Sequence, residues 1–167
     1  DYVSIYAPAP SDLIVQNVTT PDTVYLGYPL TTATWTITNN SANNAVGISS
    51  DGVYLSTSGI LDSTAVLLGV KNKTLNMAPL TSENIQMQPV VIDVKEGNYK
   101  VMVKTDLLNN IVESNKANNI GAAIGNLYVQ VKPLVLNVPE TNTLHTTARY
   151  YKLSIPDSLI GSTIQVT

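Results

Sequence analysis

Apolar and polar positions alternate at period two through much of this chain. From Thr31 to Thr38, Ala33, Trp35 and Ile37 fall on one side and Thr32, Thr34, Thr36 and Thr38 on the other. That is the pattern of a strand with one face in a core and one in water. From Gly97, the residues Tyr99, Val101 and Val103 alternate with Lys100, Met102 and Lys104 in the same way. Further strands are predicted over 12–18, 24–26, 52–58, 65–70, 82–94 and 122–131. Residues 74–79 read as irregular, and Pro89 forces an edge or a bulge on the long 82–94 segment. Turns fall at Pro21-Asp22, at Gly27 and in the run Asn39-Asn-Ser-Ala-Asn-Asn44. No segment repeats at the helical period.

Seven or eight strands over roughly 120 residues, with turn signals about every ten, predict an all-β fold. The expected architecture is an immunoglobulin-like two-sheet β-sandwich, with a short incomplete β segment at the C-terminus. Trp35, the only tryptophan, is expected in the core, where truncating such a side chain costs roughly 3–5 kcal/mol. Tyr99, two residues into a strand that opens at Gly97, matches the position of a tyrosine corner.

Composition supports strands and narrows the functions. The chain has 167 residues, 44% hydrophobic and only 13% charged, with nine Tyr and no Phe. Thr, Ser and Asn must supply the polar surface, a bias toward strands and turns. The net charge is −3, and the eight lysines and Arg149 are scattered. A nucleic-acid footprint needs clustered cations, so nucleic acid is excluded as a partner. No run of about 18 apolar residues occurs, which excludes membrane insertion by a helix. Cysteine is absent, which fits a cytosolic protein or an exported prokaryotic one.

Three regions are expected. Residues 1–10 end a preceding domain and pass through the stiff linker Ala7-Pro-Ala-Pro10. Residues 11–132 form the sandwich. Residues 133–167 hold a linker and the incomplete start of a further β domain, with a strand in 148–156 and another from Ser162. They are too few to close a core alone, so they either pack onto the sandwich or begin a domain that continues. The alternation at both ends reads as a segment cut from a longer protein.

The chemistry-bearing residues are few. The one histidine, His145, lies in a polar turn, and no cysteine or paired carboxylates accompany it. A catalytic set is therefore not expected. The dense polar stretch is 106–119, which carries Asp106, Asn109, Asn110, Glu113, Asn115, Asn118 and Asn119. Two uses fit it. The side chains can bond local backbone amides and fix a tight crossover between strands. Alternatively, Asp106, Asn109, Asn110 and Glu113 can supply three or four of the six to eight oxygens that calcium takes. Calcium is the only cofactor to which the residues point.

Several segments together carry a family resemblance. They are Asp12-Leu-Ile-Val15, Thr34-Trp-Thr-Ile-Thr-Asn39, Val53-Tyr-Leu-Ser56, Gly97-Asn-Tyr-Lys-Val-Met-Val-Lys-Thr-Asp106 and Asn110-Ile-Val-Glu-Ser-Asn-Lys-Ala-Asn-Asn119. From about Ser11 to Val131 the chain resembles a CARDB domain, the cell-adhesion-related domain found in bacteria. Lys116 departs from the family pattern, in which an acidic residue usually stands there, and removes one oxygen ligand. Tyr150-Tyr-Lys-Leu-Ser-Ile-Pro156 resembles the opening of a bacterial pre-peptidase C-terminal domain.

The CARDB resemblance implies a non-catalytic module of a larger prokaryotic surface or secreted protein, extracellular, at the cell surface or in the periplasm. It would act in adhesion, in protein interaction or as a spacer. Its partners would be other domains of the same chain and a protein or polysaccharide on a surface. The other reading is an accessory domain, binding substrate or carbohydrate, of a secreted peptidase or glycoside hydrolase. Tyr25, Tyr28, Tyr54 and Tyr128 are then the candidates for a sugar platform.

Overall fold

The structure, a computed structural model, describes residues 7–141, 143 and 147–159. His145 and the strand expected from Ser162 lie outside these residues. The described part is almost wholly β. Strand β1 (Leu13–Thr19) pairs antiparallel with β3 (Ala33–Asn39), and β3 pairs with β6 (Ser82–Met87), giving one sheet in the order β1-β3-β6. The second sheet runs β2 (Thr23–Tyr25), β9 (Leu127–Gln130), β7 (Gly97–Lys104), β4 (Ala45–Ser56), β5 (Val66–Met77), with β8 (Ile120–Ala122) also paired to β7. The two sheets face each other as a sandwich.

The core follows from the alternation. Leu13, Val15, Trp35, Ile37 and Ile85 from the smaller sheet meet Val53, Leu55, Leu75, Val101, Val103, Leu127 and Val129 from the larger. Trp35 is 1% exposed. It does more than fill space: its indole N–H donates across the sandwich to Asp51 Oδ2 of β4 at 3.1 Å. Thr105, just after β7, donates its hydroxyl to Asp51 Oδ1 at 2.7 Å. A carboxylate buried to 0% exposure thus holds both sheets, and burial pushes its pKa above the ordinary aspartate value against the pull of Thr105, Lys73 and Trp35. The Tyr99 hydroxyl donates to the Lys95 carbonyl four residues upstream at 2.9 Å, the tyrosine-corner bond.

Several strands differ from the sequence reading. β4 starts at Ala45 and not at 52, and β5 runs unbroken through residues expected to be irregular. The two form one long ladder, interrupted by a bulge at Val53/Tyr54. β6 stops at Met87, before Pro89, so the predicted 82–94 strand is half as long. The last predicted strand is broken into β8 and β9, both on the same edge of β7, with Ala123 N–H bonding Val101 O at 2.9 Å between them. The sandwich therefore holds nine strands, β1 to β9.

The exposed edges β5 and β6 lie on the same side. Lys71 reaches from β5 to the Gln86 carbonyl at 2.8 Å and Lys73 to Glu83 at 3.0 Å. Lysines at an edge also discourage pairing with another chain.

After the sandwich, β10 (Lys132–Leu134) pairs in parallel with β11 (Tyr151–Leu153). This segment packs back on the β2 end of the sandwich. The Arg149 guanidinium lies 3.9 Å from the Tyr28 ring centroid and donates to the Gly27 carbonyl. Lys152 meets Glu96 at 3.2 Å. Gly27 has φ +83°, and a Cβ there would run into the Ala148 carbonyl, so only glycine suits both the turn and the contact.

Replacing Trp35 by Phe keeps an aromatic ring but withdraws one of the two donors to Asp51. Equilibrium denaturation followed by circular dichroism is expected to show a loss of about 1–3 kcal/mol, the cost of an under-satisfied buried polar group.

Candidate functional site

The loop between β7 and β8, residues 105–119, is where the sequence-predicted site falls. It leaves one sheet, passes along the outer edge of β1 in the other, and returns to pair beside β7. Its route is written in backbone bonds. Ser11 N–H donates to Val112 O at 2.9 Å, Ser114 N–H to Ser11 O at 2.8 Å, and Val15 N–H to Asn118 O at 3.3 Å. Leucine 13 lies between these positions, fully buried. Its N–H donates to Glu113 Oε2 at 2.9 Å. A side-chain carboxylate here takes the place of a strand carbonyl and completes the edge.

Asp106 folds the loop's first turn. Its Oδ1 accepts from Asn110 N–H at 2.9 Å and its Oδ2 from Ile111 N–H at 3.2 Å. Asp106 and Asn109 both have positive φ, 45° and 55°, a conformation that Asp and Asn tolerate better than other side chains. Asn109 N–H closes the turn on the Asp106 carbonyl at 2.9 Å, and Leu107 N–H ties it to Ser50 O of β4 at 2.9 Å.

Between the two carboxylates sits Lys116. Its ammonium is 3.0 Å from Asp106 Oδ2, 3.0 Å from the Ile111 carbonyl and 3.6 Å from Glu113 Oε1. Both carboxylate side chains are 0% exposed, whereas the lysine is 39% exposed. Asn119, also buried, donates its amide to Glu113 Oε1 at 2.8 Å. Burial raises the Glu113 pKa above the ordinary glutamate value, opposed by the Asn119 and Leu13 hydrogen bonds and the Lys116 charge. A further pair, Asn118 Nδ2 to Asp12 Oδ1 at 2.8 Å, binds the end of the loop to the start of β1.

Of the four residues named as oxygen donors, Asp106 and Glu113 converge. Asn109 and Asn110 are exposed and approach the cluster through backbone N–H groups. Among the described residues no group of three or more His, Cys, Asp or Glu gathers as for a metal ion. As it stands, the cluster does not fit a divalent cation: a positive charge already occupies the space between the carboxylates, and hydrogen-bond donors take the other oxygens. Asn119, one of the side chains expected to fix the crossover, does so through Glu113; the residues that the sequence does not point to are Leu13, which completes Glu113, and Asp51 in the core. Lys116 was noticed only as a lost oxygen ligand; its position three residues after Glu113 was the available signal for its role.

The tyrosines named for a sugar platform are not assembled into one. Tyr25 and Tyr28 pack edge to face, centroids 5.8 Å apart at 64°, and Arg149 covers Tyr28. Tyr128 of β9 neighbours Tyr25, its strand pairing with β2 and its partner being Thr23, whereas Tyr54 on β4 lies three strands away in the sheet order.

A two-sheet all-β sandwich with a tyrosine corner and a stapled crossover loop defines an immunoglobulin-like module. The CARDB family model matches residues 10–123, and the chain belongs to the CARDB family. Solved CARDB-type structures share the fold. One is the CARDB domain of PF1109 from Pyrococcus furiosus, solved in complex with di-metal ions, with a TM-score of 0.51 and 20% identity over 71% of this chain and 93% of that one. Another is a domain of a Methanosarcina acetivorans protein assigned to the cell surface, with a TM-score of 0.53 and 20% identity over 73% of this chain and 94% of that one. No protein of curated function matches the chain.

The raised Glu113 pKa has a signed consequence. The folded protein holds this proton more tightly than the unfolded chain does. Stability from the protonated form is full below the ordinary glutamate pKa and is lost as pH rises through the higher folded value. Thermal melts of native protein and Glu113→Gln across mildly acidic pH are expected to diverge as pH rises: the native protein loses stability over that interval relative to the variant, which cannot ionise there.

Proposed function

We propose that this chain is a non-catalytic adhesion module of a larger prokaryotic surface or secreted protein, working outside the cell or at its surface. The observation that carries the reading is the outward face of the larger sheet. On β4, Val46 and Ile48 are 61% and 62% exposed. The β4–β5 register puts Val70 and Leu67 on the same face, opposite Gly52 and Tyr54, and both are exposed. Ile120 of β8, opposite Lys104, adds to that face. At one end Val46 borders a groove of about 370 Å³ that Pro8, Ala9, Ile111 and Val112 also line.

Exposed aliphatic side chains on a sheet, set among Asn72, Thr74, Asn76 and Lys104 of the same face, suit contact with protein. Carbohydrate recognition by stacking wants several coplanar aromatics, and the Tyr25 and Tyr28 rings cross at 64° with Arg149 over Tyr28. The carboxylates that could have served chemistry, Asp51, Asp106 and Glu113, are each spent on donors of the fold itself. CARDB membership and the cell-surface relative support the surface location. The β10–β11 pair then forms the joint to other domains of the same chain, with Arg149 held on Tyr28.

The test is binding of the purified chain to the surface of the source cells. Adhesion is expected to fall by an order of magnitude or more with Ile48→Lys, which places a charge on the face without touching the core. It is also expected to fall when the cells are treated with protease and to survive periodate oxidation of their polysaccharides. Sensitivity to periodate alone would favour the carbohydrate-binding accessory role, and absence of any binding would leave a spacer.

A further inference from the structure

Three places in the chain carry the acceptor pattern for N-linked sugar, Asn-x-Ser/Thr: Asn17-Val-Thr19, Asn39-Asn-Ser41 and Asn72-Lys-Thr74. The fold treats them differently. Asn39 is 0% exposed. Its Nδ2 donates to the Asn43, Met77 and Ala78 carbonyls at 2.8, 3.3 and 3.1 Å, so a transferase cannot reach that nitrogen. Asn72 is exposed, but it lies in the regular part of the β4–β5 ladder opposite Ser50, whose hydroxyl donates to its Oδ1 at 2.7 Å. It also stands on the face of Val46, Ile48 and Val70, where a sugar would cover the aliphatic side chains.

Asn17 is unlike both. The β1–β3 register passes from Gln16 opposite Thr36 to Thr19 opposite Thr34, which leaves Asn17 and Val18 facing the single residue Trp35. That is a bulge, and Asn17 takes a left-handed conformation in it, φ +51°. Val18 is buried, whereas Asn17 and Thr19 on either side of it are exposed. Among the described residues the Asn17 amide nitrogen is held by a single long bond, 3.4 Å to Thr36 Oγ1. A second observation lies beside it. Asn17, Thr19, Thr34, Thr36, Asn84 and Gln86 are among the residues lining a shallow cleft of about 400 Å³, and no charged residue is among them. Thr19 and Thr34 share a hydrogen bond at 2.5 Å, and Thr36 donates to Asn84 Oδ1 at 2.8 Å. A floor of hydroxyls and amides suits a neutral sugar, whose own hydroxyls need both donors and acceptors.

We propose that Asn17 is an N-glycosylation site, its first sugar seated in the cleft on the outer face of the β1-β3-β6 sheet. This rests on the surface reading above, since only an exported chain meets the transferase. In the transfer, Asn17 Nδ2 bonds to C1 of a sugar carried on a lipid phosphate. The C1–O bond to the phosphate breaks, its electron pair leaves with the lipid phosphate, and one amide proton passes to a base of the membrane transferase. The sugar and the aliphatic face then lie on opposite sides of the sandwich, so the modification leaves adhesion free.

The experiment is peptide mapping of the protein isolated from its source cells after separation of cytoplasm, envelope and culture fluid. Cleavage before aspartate, at Asp12, Asp22, Asp51, Asp62 and Asp93, puts the three acceptors on separate peptides, 12–21, 22–50 and 62–92. Mass spectrometry is expected to find peptide 12–21 heavier by a glycan and the other two at their bare masses. Asn17→Gly, which suits the positive φ, and Thr19→Val are each expected to lose the added mass completely. Thr19→Ser, which keeps the hydroxyl, is expected to retain it. Should Asn17→Gly fold poorly, the native protein and the two Thr19 variants still decide. Protein found outside the cytoplasm with a bare 12–21 peptide, or with sugar on 62–92 in its place, would overturn the site alone. So would added mass on 12–21 that survives Thr19→Val. A chain confined to the cytoplasm would overturn the surface reading and the site with it.

Discussion

The bond between Leu13 N–H and the Glu113 carboxylate is the interaction on which the rest of the sandwich depends. β1 begins the fold and has only one neighbour in its own sheet, β3. Its other edge carries N–H groups that are buried by the crossing loop, and a buried N–H left without a partner costs about as much as a typical bond gains or more. The loop meets this demand by sending a backbone carbonyl to Ser11, a side-chain carboxylate to Leu13 and another carbonyl to Val15. A regular strand could have done the same, but it would have continued the sheet and left a new edge open. A loop that bonds as it crosses seals the edge and carries the chain back to β7.

That solution creates its own difficulty, because a carboxylate used as a backbone acceptor has to be buried. The side chains of Glu113 and Asp106 are both buried, and Lys116 lies between them. Asp51 meets a similar difficulty in the core with neutral donors, the Trp35 indole and the Thr105 hydroxyl. The two clusters are linked through the chain, since Thr105 is followed directly by Asp106 and its N–H bonds Asn119 O at 2.9 Å. The polar groups of this fold therefore form closures between sheets. The exposed aliphatic side chains of β4 and β5, Val46, Ile48, Leu67 and Val70, take no part in these closures.

Much of the fold was legible in the sequence because its signals were local. Ala33, Trp35 and Ile37 alternate cleanly and are buried together. Tyr99 stands where a tyrosine corner belongs and makes its bond. The first half of β4 was hidden because Ser49-Ser-Asp51 is a polar run that reads as a turn, whereas Asp51 is buried by partners distant in sequence. β5 was hidden for a related reason: its Lys71, Asn72 and Lys73 look like a loop, and only the facing β6 explains the lysines. The crossover loop was found by composition, but composition could not say which donors its oxygens take. Glu113 answers to Leu13, one hundred residues away, and no local pattern records that pairing.

The measurement that tests this account most directly is amide hydrogen exchange of Leu13 in chelator, in the native protein and in Glu113→Ala, with the Val101 amide in the central ladder as reference. The account predicts that Leu13 is well protected in native protein without calcium. It also predicts that protection at Leu13 falls in Glu113→Ala by more than the general loss of stability seen at Val101. Protection of Leu13 that disappears from the native protein on chelation, or that is untouched by removal of the carboxylate, would contradict it.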